Sequence, residues 1–149
     1  MLYNIIMIEL IFDFLFPTTN HAYGVAAKGK HAFMYKTAEA KNKAALVQAA
    51  LYSIDITNLQ PPLGLYIAVY LNKNMRDIGS STKLIQDAIC DSLKINDNNI
   101  YLVIEEKIVE KTCQPQTKIV FGTLTEVYQW FHTHRANHLL ETDIANQPL

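Results

Sequence analysis

The segment KNMRDIGSSTKLIQDAICDSLKINDNNIYLVIEEK, residues 73–107, contains the most informative pattern in the chain. An apolar run at 63–71 precedes it, and the stretch itself holds a helix pattern, a polar turn at 95–99 and a strand pattern from Ile100. The preceding run is apolar on both faces, which predicts a strand in the middle of a sheet. Charged residues stand at the ends of these elements, where side chains from different elements converge on one pocket. A plain strand–helix–strand unit with solvated ends would show the same pattern.

Three elements are expected N-terminal to this unit. Every even position from Ile6 to Phe16 is apolar, which predicts a strand with one buried face, ended by a polar turn at 17–20. Residues 23–35 are centred on Lys28-Gly29-Lys30 and predict a hairpin or a mobile loop with a basic tip. Thr37 is a suitable cap for an alanine-rich helix over 38–53.

The later part of the chain adds strands and one helix. Ser80 or Ser81 is expected to cap the central helix, and Thr123 with Glu126 forms a capping box for the last one. The predicted elements are strands over 100–109 and 118–121, a helix over 124–140 and a frayed tail over 141–149. This order predicts a mixed α+β domain with a small mixed sheet packed against helices.

Length and charge favour one globular domain with no global nucleic-acid signature. The chain has 149 residues, of which 50% are hydrophobic and 18% charged, with a net charge of −1. Charge is unevenly distributed, because residues 21–50 hold one acid, Glu39, against five lysines: Lys28, Lys30, Lys36, Lys41 and Lys43. Such a local basic region is the least that is needed to hold phosphates, although a solvated surface also carries lysines.

Cysteine use and the N-terminal segment indicate a cytoplasmic protein. Cys90 and Cys113 form neither a disulfide framework nor a metal-ligand spacing, and both suit a reducing cytosol. The apolar N-terminal run contains Glu9 and Asp13 and has no basic residues before it, so we expect neither a signal peptide nor a membrane span.

The ionisable residues of the central stretch suit metal-assisted chemistry on phosphodiesters. Asp77 and Asp97 are the candidate ligands for Mg²⁺, and Lys83 is placed to stabilise charge on the scissile phosphate. Arg76 could position the DNA backbone. Asp87 lies four residues after Lys83, so the two can pair on one helix face.

Two other sets of residues are candidate ligands. Glu105 and Glu106 are adjacent on a strand, so one of them must face away from any shared pocket. His134 and His138 share a face of the last helix, which permits a metal site, but histidines at this spacing without a third ligand are more often surface residues.

Several of these residues fall in the order of a known signature, and the chain resembles the RusA-type Holliday junction resolvases of bacteria and their prophages over residues 16–124. The family's early Pro-Pro-Ser-Asn turn is similar to Pro17-Thr18-Thr19-Asn20, and its basic glycine loop to Lys28-Gly29-Lys30. Its central Arg-Asp-x-Asp-Asn-x-x-Lys is similar to residues 76–83, and its later Asp-Ala-Leu, Asp-Asp and strand-ending lysine correspond to Asp87-Ala88-Ile89, Asn96-Asp97 and Lys107.

The resemblance implies a small α/β homodimer that cuts four-way DNA junctions with Mg²⁺. It implies a resolvase domain over residues 1–124 and a C-terminal helical extension and tail over 125–149. Carried over by position, Asp77 and Asp97 are metal ligands, and they form the catalytic set together with Lys83. The resemblance assigns DNA contact to Asn20, Lys28, Lys30 and Arg76.

The sequence departs from the signature at its acidic positions, which leaves three hypotheses. Gly79 and Asn96 stand where the family has aspartates, and Ser80 replaces an asparagine. The first hypothesis is an active Mg²⁺-dependent endonuclease, because Asp77, Lys83 and Asp97 remain. The second is a protein that binds branched DNA without cutting it, because fewer carboxylates bind Mg²⁺ more weakly. The third is a scaffold for a protein partner that docks on the helix containing residues 130–138.

Overall fold

The structure is a computed structural model that describes residues 7–139. The strands are β1 Met7–Phe12, β2 Tyr23–Lys28, β3 His31–Lys36, β4 Leu63–Leu71, β5 Ile100–Val109 and β6 Gln116–Thr123. The α-helices are α1 Thr19–Ala22, α2 Ala38–Leu51, α3 Thr82–Leu93 and α4 Leu124–Phe131. A 3₁₀ turn at Asp97–Asn99 precedes β5, and a π-helical segment at His132–Ala136 follows α4.

Four strands form one mixed sheet in the order β1-β6-β4-β5. Strands β4 and β5 are parallel and joined through α3, whereas β6 is antiparallel to both β4 and β1. Because β4 lies between β5 and β6, the prediction of a central strand over 63–71 is confirmed. The mixed α+β class is confirmed as well.

The sheet is covered on both faces, which gives the molecule two cores. On one face, α2 and α3 pack on alternate residues of β4 such as Leu65 and Ile67. On the other face, α4 packs on Tyr66 and Ala68 through Val127 and Trp130. The second core joins Tyr66 and Ala68, within the predicted resolvase domain, to Val127 and Trp130, which follow that domain. The segment after residue 124 is therefore packed on the sheet.

The N-terminal segment differs from its prediction. The sheet pairing ends at Phe12 and not at Phe16. The apolar alternation continues beyond it because the rings of Phe12, Phe14 and Phe16 pack on one another, with centroids 5.2–5.6 Å apart. The polar turn expected at 17–20 instead leads into α1, where the Thr18 carbonyl accepts from the His21 and Ala22 amides. The predicted start at Ile6 lies outside the described residues.

The helix caps are formed only in part. Ser81 precedes α3, but its side chain makes no capping bond there, so the predicted serine cap is wrong. Thr123 Oγ1 accepts from the Glu126 amide at 3.3 Å, which is one half of the predicted capping box. The regular part of the last helix ends at Phe131 and a π-helical segment continues it. The predicted end at Leu140 and the tail 141–149 lie outside the described residues.

The hairpin predicted over 23–35 is confirmed, with its second strand extending to Lys36, and it pairs only with itself. Strands β2 and β3 form a separate two-stranded sheet joined by Gly29 and Lys30. Gly29 has a φ of 62°, in the left-handed region that favours glycine in such two-residue turns. Among residues 7–139 no helix is long and apolar enough to cross a membrane.

Candidate functional site

The loop between β4 and α3, residues 72–81, is held against the rest of the molecule from three directions. The Arg76 guanidinium donates to the Phe16 carbonyl, and burial lowers the pKa of Arg76. The Thr19 amide donates to the Ser80 carbonyl at 2.7 Å. Lys107 Nζ, at the other end of the signature, donates to the Arg76 carbonyl at 3.0 Å. The loop that contains the signature therefore has a defined shape.

A cleft of about 310 Å³ opens where this loop meets α3. Its lining collects the signature positions and their neighbours: Gly79, Thr82, Lys83, Gln86, Asp87 and Asp97. Lys83 and Asp97 are thus brought together, as the sequence predicts for a shared pocket. The cleft is open to solvent, because Gly79, Lys83 and Asp97 are all exposed.

Asp77 lies in a different depression, a narrow crevice beside this cleft. Arg76, Ile78, Glu105 and Lys107 line the crevice with it. Glu105 connects the crevice to the cleft, because its Oε2 accepts a hydrogen bond from Thr82 Oγ1, which lines the cleft, at 2.6 Å. The same Oε2 is 3.7 Å from where a Cβ on Gly79 would lie. A carboxylate from β5 therefore stands close to the position where the family signature has its second aspartate.

Lys83 and Asp87 pair as predicted, and they connect the cleft to the hairpin. The Nζ of Lys83 is 3.3 Å from Asp87 Oδ2. The hydroxyl of Tyr23, at the start of β2, donates to the same oxygen at 2.9 Å. Burial, followed by the bond to Asp87, raises the pKa of Tyr23 to about 12. Tyr23 was not a sequence candidate, since 64 residues separate it from Asp87.

Glu106 faces away from the cleft, as the alternation along β5 requires. Its Oε1 accepts from the Tyr66 hydroxyl at 2.6 Å and from Arg135 Nε at 2.8 Å. Burial acts to raise the pKa of Glu106, but the bonds from Arg135 and Tyr66 outweigh it and hold the pKa below its usual value. Arg135 carried no sequence signal beyond its charge, so this network was not predicted.

The carboxylates as arranged do not fit a Mg²⁺ ion. Asp77 and Asp97 line separate depressions, and Glu105 is bonded to Thr82. Asn96 Oδ1 accepts from the Asn98 amide at 3.0 Å, so this side chain caps the turn before β5. Over residues 7–139, no three His, Cys, Asp or Glu side chains are grouped so that they could hold a metal ion.

Of the four residues that the resemblance assigns to DNA contact, three are exposed and one is bonded within the fold. Lys28 and Lys30 are exposed at the tip of the hairpin, and Asn20 is exposed on α1. Arg76 is half-buried and its guanidinium bonds the Phe16 carbonyl, so the fold itself uses this side chain.

The C-terminal aromatic and histidine residues are partly structural. Trp130 is 7% exposed and packs on Tyr66 with ring centroids 4.9 Å apart, so it belongs to the second core. The His134 ring stacks on Trp130 at 5.0 Å, and its Nδ1 is 2.9 Å from the Trp130 carbonyl oxygen. His134 and Trp130 thus form a packed unit at this end of the molecule.

Neither of two comparisons links the chain to a known protein. The sequence matches no protein-family model, and no curated protein matches it. The geometry of the cleft and of the hairpin is therefore the basis for inferring function.

Proposed function

We propose that the protein binds branched DNA, with four-way junctions as its substrate class, and that it does so as a cytoplasmic homodimer related to the RusA-type resolvases. The observation that carries the proposal is the position of the basic hairpin beside the cleft. Tyr23, at the root of the hairpin, bonds Asp87, and Lys83 Nζ lies 5.8 Å from the Tyr23 ring centroid. The hairpin that carries the exposed lysines at its tip is therefore attached at its root beside the cleft.

The charges at the hairpin tip suit a phosphate backbone. Lys28 and Lys30 are exposed, and neither makes an ion pair within the described part of the chain. Each lysine that neutralises a phosphate releases a counterion, so DNA affinity falls with salt by a slope set by the number of contacts. Lys36 and Lys41 line a second depression of about 230 Å³ that lies between α2 and α3.

The test is binding to a labelled four-way junction and to linear duplex of the same sequence, measured over a range of salt concentrations. We expect the junction to bind more tightly than the duplex. Lys28→Gln and Lys30→Gln should each lower the salt slope by about one. Lys118→Gln is the matched control, because Lys118 lies over Trp130 on the other face of the sheet. Equal affinity for junction and duplex would refute the proposal.

Cutting of the junction is the second candidate function, and one observation favours it. The Glu105 carboxylate lies beside Gly79, at the place of the missing aspartate, so a carboxylate is available from β5 if Thr82 releases it. The same binding reactions, incubated with Mg²⁺ or Mn²⁺, decide between the candidates. Paired nicks that disappear in Asp77→Asn would establish an endonuclease, and binding without nicks in either metal would leave a binding protein.

A further inference from the structure

The β2–β3 hairpin carries a row of aromatic rings that neither core covers. Gly24 pairs with Tyr35, Ala26 with Phe33 and Lys28 with His31. Alternate residues of a strand share a face, so His31, Phe33 and Tyr35 stand in one row, about 6.7 Å from one to the next. Phe33 is 51% exposed and Tyr35 45%, and His31 is exposed as well. We call this row the aromatic face.

Small residues opposite the rings keep this face open. Gly24 and Ala26 are the cross-strand partners of Tyr35 and Phe33. The Tyr35 ring lies over Gly24 so closely that a Cβ at Gly24 would overlap the ring carbon Cζ and the hydroxyl. The Tyr35 ring therefore lies across the ribbon.

The opposite face of the hairpin makes the attachments to the body. Tyr23 and Lys36 belong to that face, and they contact α3 through Asp87 at 2.9 Å and Asp91 at 3.7 Å. At the root of the hairpin, the aromatic face is consequently on the side away from α3. Farther out both faces are exposed, since Val25 on the opposite face is 75% exposed. Large apolar side chains that are exposed together are characteristic of binding sites. A two-stranded hairpin is also only marginally stable by itself.

The charge of the ribbon indicates what covers it. Residues 23–36 contain Lys28, Lys30 and Lys36 and have no aspartate or glutamate. A purely basic ribbon attracts a polyanion, and aromatic rings beside lysines are the combination that binds single-stranded nucleic acid. Every base has a flat face that stacks on an exposed ring, whereas the bases of intact duplex are already stacked on one another.

We propose that the aromatic face binds unpaired nucleobases by stacking, with Phe33 at its centre, while Lys28 and Lys30 hold the adjoining phosphates. This inference rests on the proposed function, because a branched DNA offers unpaired bases where its arms open. It adds that the preference for branched over linear DNA arises at the hairpin, at a distance from the cleft.

The test compares two substitutions of similar size on the two faces of β3. Phe33→Leu removes a ring but keeps an apolar side chain. Met34→Leu places the same residue on the opposite face, where Met34 is 64% exposed, without removing a ring. The probes are a labelled oligothymidylate, a linear duplex and a four-way junction. Phe33→Leu should weaken oligothymidylate binding on the order of 10-fold without changing the salt slope, because it removes stacking and no phosphate contact.

Two further measurements separate stacking from loss of structure. Phe33→Trp keeps a ring, so it should bind oligothymidylate at least as tightly as the unmodified protein. Thermal unfolding followed by circular dichroism should show the same transition for all variants. If Phe33→Leu and Phe33→Trp weaken oligothymidylate binding equally, stacking is refuted.

The outcomes also separate this inference from the proposed function. If the unmodified protein prefers the junction but Phe33→Leu and Met34→Leu bind oligothymidylate equally, only the aromatic face is refuted. If the unmodified protein shows no junction preference, the proposed function fails. If Phe33→Leu alters sedimentation and leaves DNA binding unchanged, the face contacts a second copy of the chain and the inference is overturned.

Discussion

Gly79 stands where the resolvase signature has an aspartate, so this position bears on whether the cleft can bind a metal ion. It has a φ of 82°, in the region that L residues adopt only at a cost, so the loop takes a path suited to glycine. Space for a side chain exists, because the nearest atom to a Cβ built there is Glu105 Oε2 at 3.7 Å. An aspartate could therefore be accommodated, and it would place a second carboxylate next to Glu105.

We expect Gly79→Asp to lower the free energy of unfolding by about 1 kcal/mol in metal-free buffer, from the backbone cost. Repulsion from Glu105 acts in the same direction. Added Mg²⁺ or Mn²⁺ should recover part of the loss, because an ion that binds only the folded state stabilises it. The measurement is the melting temperature across a titration of each metal.

Gly79→Asn is the matched control, since it has the same shape without the charge. It should show the backbone cost and no recovery with metal. If both variants respond to metal alike, a carboxylate at position 79 does not contribute to an ion site.

At the scale of elements, the end of α3 offers a direct test of local conformation. Lys94 follows the helix with a φ of 55°, and its amide bonds the Cys90 carbonyl. The Ile95 amide bonds the same carbonyl at 2.9 Å, which is a common way for a helix to end. Glycine is the residue that this position favours.

Lys94→Gly should therefore raise the free energy of unfolding by about 1 kcal/mol or slightly less, because glycine adopts this conformation without strain. Urea denaturation measures the change. Lys94→Ala removes the same side-chain charge but keeps the Cβ, so it should give no gain. A gain in Lys94→Ala equal to that in Lys94→Gly would mean that charge, and not backbone strain, is the cause.

Periodicity in the sequence was sufficient to predict most elements, because apolar alternation and helical spacing reflect which face is buried. It failed where side chains pack on one another outside a regular element. Phe14 and Phe16 continue the alternation of β1, yet they leave the sheet and pack as a ring cluster. The serine cap of α3 failed because a suitable residue type does not determine the direction of its side chain.

The candidate site was predictable only as far as its residues are local in sequence. The pairing of Lys83 with Asp87 follows from helical spacing and is confirmed at 3.3 Å. The bond between Thr82 and Glu105 joins residues 23 positions apart, and Arg135 reaches Glu106 across 29 positions. Contacts of this kind depend on how the elements pack, and no pattern in one sequence specifies them.

At the scale of the whole molecule, the Tyr66–Glu106–Arg135 network ties the C-terminal segment to the sheet. Glu106 is 9% exposed, so its carboxylate depends on its two partners. Arg135→Gln should lower the free energy of unfolding by about 3 kcal/mol at neutral pH, because it leaves a buried charge with only a hydroxyl as partner. Chemical denaturation over a range of pH measures this effect.

The destabilisation caused by Arg135→Gln should become smaller as the pH falls. The folded-state pKa of Glu106 lies below its ordinary value of 4.5, so its stabilisation is present above that pH and is lost as the pH falls through the folded pKa. In Arg135→Gln, burial is no longer offset and the carboxyl protonates at a higher pH. The difference in free energy of unfolding between the unmodified protein and Arg135→Gln should therefore narrow as the pH falls from the higher pKa of Glu106 in the variant to its lowered pKa in the unmodified protein.

Glu106→Gln is the control for this pH effect, since it has no carboxyl to titrate. Adding Arg135→Gln to Glu106→Gln should lower the free energy of unfolding by an amount that is the same at pH 4 and pH 7. Glu106 is not the titrating group if the free energies of unfolding of Arg135→Gln and the unmodified protein differ by the same amount across this pH range.

Burial of β4 between two cores has a consequence for how the molecule opens. The strand has neighbours on both edges and packed layers on both faces, so its amide hydrogens are reached by solvent only when the whole domain unfolds. The hairpin pairs only with itself and is attached at its root, so its amides are open to local fraying. Hydrogen–deuterium exchange should separate a slow β4 from a fast β2–β3, and bound single-stranded DNA should slow exchange in the hairpin.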